Sequence, residues 1–556
     1  MYTMLKSHLV RRRKILGLIY NYLVILVSTL LIKILLYDIF KLVNMMKRNV
    51  KEKEKLSLEE KKKLGSKFCR RFILWICILA IGVVRKALQN DTFYTIKIGE
   101  LILNNGIDMM DHFSFHAGLA YTYPHWLYDV IIYMIYHLLG IKGMYISSIV
   151  FLMILLFVVF KTNIFVSKSK TVAAFGTFIC TLAISGFVTA RAQLISFILF
   201  ALEIFFIENF LEKKKKKYLG GLLLISLILC NIHVAVWPFY FIVYLPYLAE
   251  YVVAIIKKKI RRKNKILLFL DKKLDIQEND GIKYLFLTMI LSLLTGLMTP
   301  IGDTPYTYLI KTMMGNSQKY IQEHQMLSWI DSPFTIIIAG ETLFLALISK
   351  IKLRDLFMIC GLVLMSVMSI RHLSLLALIG TICFSRVFAM FLENFNFDVD
   401  STLLKFFNKR GVIFASYAFV ILLASVMFYQ QTKKEYVNEE FYPVEATKYI
   451  KENIDVSKAR IFNDYNFGSY LLFYDISVFI DSRADLYTKQ FSGFDYDIFD
   501  DYEFIVGNYQ EKFDFYNITH VLIYKENNPL YMTLKTNSNY NTLYEDEYFV
   551  FYERLN

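Results

Sequence analysis

The sequence predicts an α-helical polytopic membrane protein of about twelve transmembrane helices, followed by a C-terminal α/β domain. Three observations predict it. Hydrophobic residues make up 56% of the 556 positions, above the roughly 45–50% of a soluble chain. Apolar runs long enough to cross a bilayer, about 18 residues or more, recur along the first 430 positions. Beyond Gln431 the runs shorten and strand-like alternation replaces them.

The net charge is +15, but the lysines lie in short blocks between apolar runs. That is the signature of positive-inside topology. No nucleic-acid-binding motif accompanies the charge, so nucleic acid is excluded as a partner. The six cysteines (Cys69, Cys77, Cys180, Cys230, Cys360, Cys383) all precede the tail and show no metal-ligand spacing.

With the lysine blocks as compass, each element takes its place. The basic N-terminus leads into an apolar run, 15–43, too long for a signal-peptide core; both its ends are basic, leaving its orientation open. Lys47 to Arg71 is a mixed-charge cytoplasmic segment, which makes 1–71 a helix plus a basic connector. The run 72–89 carries Asn90-Asp91 to the far face, where a polar loop, 90–125, contains an amphipathic stretch from Phe93 to Leu103. Residues 126–160 read as two spans, or as one span after an interfacial helix; Lys161 to Lys170 favours the second. Spans near 172–188 and 192–211 flank Arg191 and end at five lysines, Lys213 to Lys217. Spans near 218–232 and 236–255 turn at His233. The run 284–299 rises to Pro300-Ile301-Gly302-Asp303, and 334–349 descends after a loop. A hairpin, 355–370 and 373–391, turns at Arg371-His372, and a last span, 412–430, closes the membrane domain of 72–430. The acids, histidines and arginines at span ends thus gather on one face, and the C-terminal domain, 431–556, lies on that same extracytoplasmic side. Charge kept near a membrane is usually kept for chemistry or transport.

Motifs sharpen this. Asp91-Thr92-Phe93-Tyr94 precedes Ile98-Gly99-Glu100, then Asp111-His112-Phe113-Ser114, then Pro124-His125-Trp126-Leu127. Downstream come Arg191-Ala192-Gln193-Leu194, Asn231-Ile232-His233, Thr299-Pro300-Ile301-Gly302 and Arg371-His372. The tail holds Phe462-Asn463-Asp464-Tyr465 with Gly468, and Phe479-Ile480-Asp481-Ser482-Arg483-Ala484-Asp485. From about residue 72 onward this pattern resembles a bacterial family of polytopic proteins related to the GT-C glycosyltransferases. Thr95, His112, Pro124 and His125 depart from that family's pattern. Asp464-Tyr465, Gly468 and Tyr470 also resemble, in outline, the acceptor-holding element of oligosaccharyltransferases without its tryptophan pair; a plain αβ turn fits the same residues.

The resemblance implies a GT-C-like membrane transferase in the cell membrane. It would move a sugar from a polyprenyl-phosphate-linked donor onto an extracytoplasmic acceptor. Such chemistry needs a carboxylate near the acceptor hydroxyl and cations on the lipid phosphate, for which arginine's fork is suited. Asp91 fits the first role, as base or as the ligand of a divalent cation (Mg or Mn), with Asp111 and His125 completing the catalytic set. Arg191, His233, Arg371 and His372 fit the donor phosphate. Asn463, Asp464, Asp481, Arg483 and Asp485 are placed toward the acceptor. Asp111 reads equally as a loop N-cap. Two other functions stay open: a transporter or flippase of lipid-linked precursors, and a non-catalytic envelope-assembly protein that keeps the fold. Sugar, carrier, acceptor, metal dependence and oligomeric state are not written in the sequence.

Overall fold

The computed structural model describes residues 57–259, 273–315, 350–394 and 398–555, with scattered residues between 321 and 345. The expected helix at 15–43 lies outside the described residues.

Among the described residues fourteen helices, labelled in chain order, build the apolar part. They are α1 (Leu58–Val83), α2 (Asn90–Asn105), α3 (Trp126–Leu139), α4 (Ile141–Ser167), α5 (Lys170–Ile184), α6 (Gln193–Lys213) and α7 (Lys217–Ile232). Then follow α8 (Trp237–Lys259), α9 (Gly281–Leu293), α10 (Thr304–Met314), α11 (Leu353–Met368), α12 (Leu373–Asn394), α13 (Val399–Phe407) and α14 (Arg410–Thr432). Among the described residues six helices are long and apolar enough to cross a membrane, and three apolar helices are shorter. The segment after the polar loop resolves into the short α3 and the 27-residue α4, hinged at Gly140, whose φ of +61° only glycine adopts without strain.

The bundle has two chemically distinct ends. At the lysine-rich end, Asp400 accepts hydrogen bonds from Ser169, Lys170 and Thr171 and so caps the start of α5. Deeper there, Arg354 bridges Glu208 and Glu250 at 3.0 Å each, and Arg386 bridges Glu208 at 2.6 Å and Asp355 at 2.5 Å. These ion pairs tie α6, α8, α11 and α12 together, and mutual neutralisation is what lets five charges sit in an apolar bundle. Helix α6 then runs about 30 Å to the opposite end, where Arg191 precedes its first turn.

That opposite end carries the C-terminal domain. Its helices include α15 (Val444–Asn453) and α16 (Tyr465–Phe473), and its strands are β1 (Ile461–Asn463), β2 (His520–Tyr524), β3 (Tyr540–Glu545) and β4 (Phe549–Arg554). The sheet order is β1-β2-β4-β3, with β1-β2 parallel and the other pairs antiparallel. The strand-like reading of 460–462, 520–524 and 548–552 corresponds to β1, β2 and β4. Val478 makes only isolated bridges, to Ser114 and Ile461. Strand β3 was missed because its Asn- and Thr-bearing alternation, half exposed, resembles a loop.

One core unites the long loop after α2 with this domain: Phe93, Tyr123, Phe462, Tyr470, Phe479 and Tyr487 are all buried in it. His116 is a pin in that seam, its Nε2–H donating to the carbonyl of Phe479 at 2.8 Å. Burial pushes its pKa down from 6.5 to about 4. The unfolded chain therefore binds a proton that the folded one refuses between pH 6.5 and about 4. The His116 contribution to stability should fall as pH drops through that window, by roughly 3 kcal/mol at its lower edge, and level off below it. Melting curves of wild type and His116→Gln at stepped pH test this, the difference between them shrinking or reversing toward about pH 4 in favour of the variant.

Candidate functional site

Two tight turns are tied together at the domain-bearing end. Thr92 Oγ1 donates to the carbonyl of Ala190 at 3.2 Å, and Thr189 Oγ1 donates to Gln89 at 3.1 Å. These bonds bring Asp91, in the first turn of α2, against Arg191, and the two form an ion pair. Both side chains keep some exposure, 20% and 29%, so the pair lines an accessible surface rather than a sealed core.

Beside it stands His125, the N-cap position of α3. Its Nδ1 lies 3.0 Å from a carboxylate oxygen of Asp129, and its Nε2 lies 3.3 Å from the Tyr94 hydroxyl. A carboxylate accepts, so Nδ1 carries the proton and Nε2 presents a lone pair. The His125 ring meets that of His233 edge-on, centroids 6.1 Å apart. His233 occupies the turn between α7 and α8, 3.0 Å from Ser196 Oγ. Burial first, then the proximity of His125 and the charges of Arg371 and Arg191, drive its pKa well below the ordinary value. A neutral imidazole follows, able to donate or accept one hydrogen bond but not to supply a cation. Arg371 is felt also by Tyr308, whose hydroxyl donates to Asp485 at 2.6 Å. Tyr465 in turn senses Asp91, Asp481, Asp485 and Arg191.

Asp91, His125, Arg191 and His233 thus gather at one end, Arg371 lies near enough for its charge to act on His233, and Asp485 approaches from the C-terminal domain through Tyr308. His372 faces away from them. Its Nδ1 donates to the Met365 carbonyl at 2.9 Å, and its ring packs on Phe239 at 5.2 Å between centroids. Phe239 and Met365 both line an apolar groove of about 210 Å³ between α6, α8, α11 and α12, which also takes in Phe200, Pro246, Phe357 and Leu375.

Other expected site residues have internal partners. The Asp111 side chain is fully buried, accepting from Ser114 N–H and hydroxyl and pairing with Arg483 at 2.6 Å; Arg483 also pairs with Asp481 at 2.6 Å. The guanidinium charge holds the Asp111 carboxyl below the usual range despite its burial. Tyr487 adds a hydroxyl to Asp481 at 2.6 Å. Asn463 holds the backbone of Phe479 and Ile480, at 2.9 and 2.7 Å. The Asp464 carboxylate accepts from the Tyr524 amide at 2.7 Å, and burial raises its pKa to about 7. Asp111 and Asp481, with Arg483 between them, weld the loop to the domain; Asn463 and Asp464 brace the domain internally, and the Asp464 segment is a βα turn opening α16. Thr95, at a position where the resembled family differs, bonds the Asp91 carbonyl at 2.8 Å within its own helix.

The motif glycines have a packing reason. A Cβ at Gly99 would stand 2.1 Å from the Asp129 carbonyl, and one at Gly468 would stand 2.0 Å from that of Ile480. Gly99 lets α2 close on α3 at the residue that holds His125. Gly99→Ala should cost about 1–3 kcal/mol, readable as a lower melting temperature, and should disturb His125.

Sequence reading leaves out Asp129 and Tyr308, and holds Tyr94 and Tyr465 only as motif positions. Asp129 had a signal: an acid in an apolar helix, four residues after His125, therefore on the same face. Among the described residues no group of three or more His, Cys, Asp or Glu side chains is arranged to hold a metal ion, and the Asp91 carboxylate is engaged by Arg191.

No family model and no curated protein matches the sequence. Solved structures do. One is the Archaeoglobus fulgidus oligosaccharyltransferase tethered by a disulfide to an acceptor peptide containing the NVT sequon: TM-score 0.53, 9% identity, covering 83% of this chain and 69% of that one. The same values hold for the A. fulgidus oligosaccharyltransferase AglB in complex with an inhibitory peptide and a dolichol-phosphate. At such identity the likeness is one of fold.

Proposed function

We propose that the protein transfers a sugar from a polyprenyl-phosphate-linked donor to an extracytoplasmic acceptor. One observation carries the reading. Five polar side chains from five separate segments gather at one end of the bundle, and His372, the residue after Arg371, packs on Phe239 of a neighbouring apolar groove. A lipid-linked sugar has the matching shape: an apolar tail, a phosphate at the membrane surface, and a sugar beyond it. The groove takes part of the tail. Arg191 and Arg371 supply the positive charge that a departing phosphate requires. Asp485, Tyr308 and Tyr465 line the acceptor side. The relatives bind an acceptor peptide and a dolichol-phosphate, in keeping with both halves of this assignment.

The test is genetic and chemical. Envelope material from a strain lacking the gene is compared by mass spectrometry with strains carrying the wild type or Asp91→Asn. The wild type restores a sugar-bearing component and Asp91→Asn does not; identical profiles in all three strains sink the proposal.

A further inference from the structure

We propose that His125 is the general base of the transfer step, that Asp129 positions it, and that the acceptor group is a hydroxyl. The proposal rests on the glycosyl-transfer reading above and names the proton's destination within it.

The geometry of His125 is that of an oriented base. Asp129 is wholly buried and sits at 3.0 Å and 3.3 Å from Nδ1. It fixes the ring and the tautomer, leaving the Nε2 lone pair toward the site. That lone pair faces a hydroxyl already: Tyr94 OH at 3.3 Å. The contact is long, so an acceptor hydroxyl can replace it. The His125 side chain is 15% exposed, enough to be reached and little enough to be held. Gly99 makes the arrangement rigid, because α2 presses directly on the Asp129 backbone. Asp91, the other candidate, has a carboxylate oxygen committed to Arg191.

The step balances. The acceptor oxygen forms a bond to the anomeric carbon while its proton passes to His125 Nε2. The bond from the anomeric carbon to the phosphate oxygen breaks, and the phosphate leaves with that electron pair toward Arg191 and Arg371. The imidazolium then gives its proton to water. An imidazole suits a hydroxyl, whose proton needs to move only as the new bond forms.

The test uses membranes from the gene-deleted host carrying full-length variants, with the host's own lipid-linked sugars labelled with tritium in growing cells. Transfer of label to acceptor material is measured. His125→Ala should lower the rate by about 100-fold or more, and added imidazole should restore it at least about tenfold while leaving Asp91→Asn unchanged. Asp129→Asn should lower kcat by about 10- to 100-fold with KM nearly constant, and Asp129→Glu should recover most of the loss. His125→Gln, checked for normal accumulation and monodisperse elution, separates lost chemistry from lost fold. Wild-type transfer with His125→Gln undiminished, or His125→Ala inactive and unmoved by imidazole, overturns the base assignment alone. Wild-type membranes that transfer no label overturn the glycosyl-transfer reading and this proposal with it.

Discussion

Replacing Arg191 with methionine should abolish sugar transfer, lowering the rate by roughly 10²- to 10³-fold, the effect of removing one preorganised electrostatic partner of a transition state. The substitution has two consequences. The phosphate loses a two-pronged donor, and Asp91 loses the ion pair that holds its turn against the turn at residue 191. Arg191→Lys keeps the charge without the fork and should recover only part of the rate. The ties from Thr92 and Thr189 remain in both variants, so the melting temperature should move little. Transfer assays beside melting curves distinguish this from general damage: a large fall in both would make Arg191 a structural residue.

The second large effect is on stability. Arg483 lies between Asp111 and Asp481 with its side chain 3% exposed and both acids at 0%. Arg483→Met leaves two buried carboxylates without a counter-charge, which costs about 3–5 kcal/mol. It should loosen the junction between the loop after α2 and the C-terminal domain. Hydrogen exchange should show faster opening at 109–123 and 478–488 together, while α6 and α12 stay protected. Adding Asp111→Asn and Asp481→Asn to Arg483→Met should return much of the loss, since no buried charge then remains. Equal destabilisation of single and triple variants would refute the ion-pair account.

These two arginines also mark what the sequence could say. Arg191 was legible because hydrophobic runs and lysine blocks, both local signals, place it at the same end as Asp91, His125, His233 and Arg371. A one-sided gathering of span ends needs no tertiary knowledge. Arg483 was not legible in the same way: its partner Asp111 lies 372 positions earlier, and nothing local says that a loop acid answers a domain arginine. Hence a reading of both as site residues, where the structure shows a weld. Asp464 and Asn463 went the same way, since a polar residue beside a glycine in a motif looks alike whether it faces a ligand or caps a strand. Asp129 is the converse. It sits in an apolar helix at helical spacing from His125, where the surrounding hydrophobicity signals membrane insertion and masks the pair. The two glycines show a third kind of gap: Gly99 and Gly468 were recognised as motif positions, but the backbone carbonyls that exclude a side chain there are visible only once the helices are packed.

The central claim is that Arg191 and Arg371 hold the phosphate of a lipid carrier at the mouth of the apolar groove. The most direct measurement is binding of a long-chain polyprenyl monophosphate to the full-length protein in lipid nanodiscs, followed by titration calorimetry. The account predicts saturable binding by the wild type, weakened at least about tenfold in Arg371→Ala, as expected when one charge-assisted contact is removed, and weakened similarly when Leu375→Trp fills the groove. Affinity unchanged in both variants would contradict it.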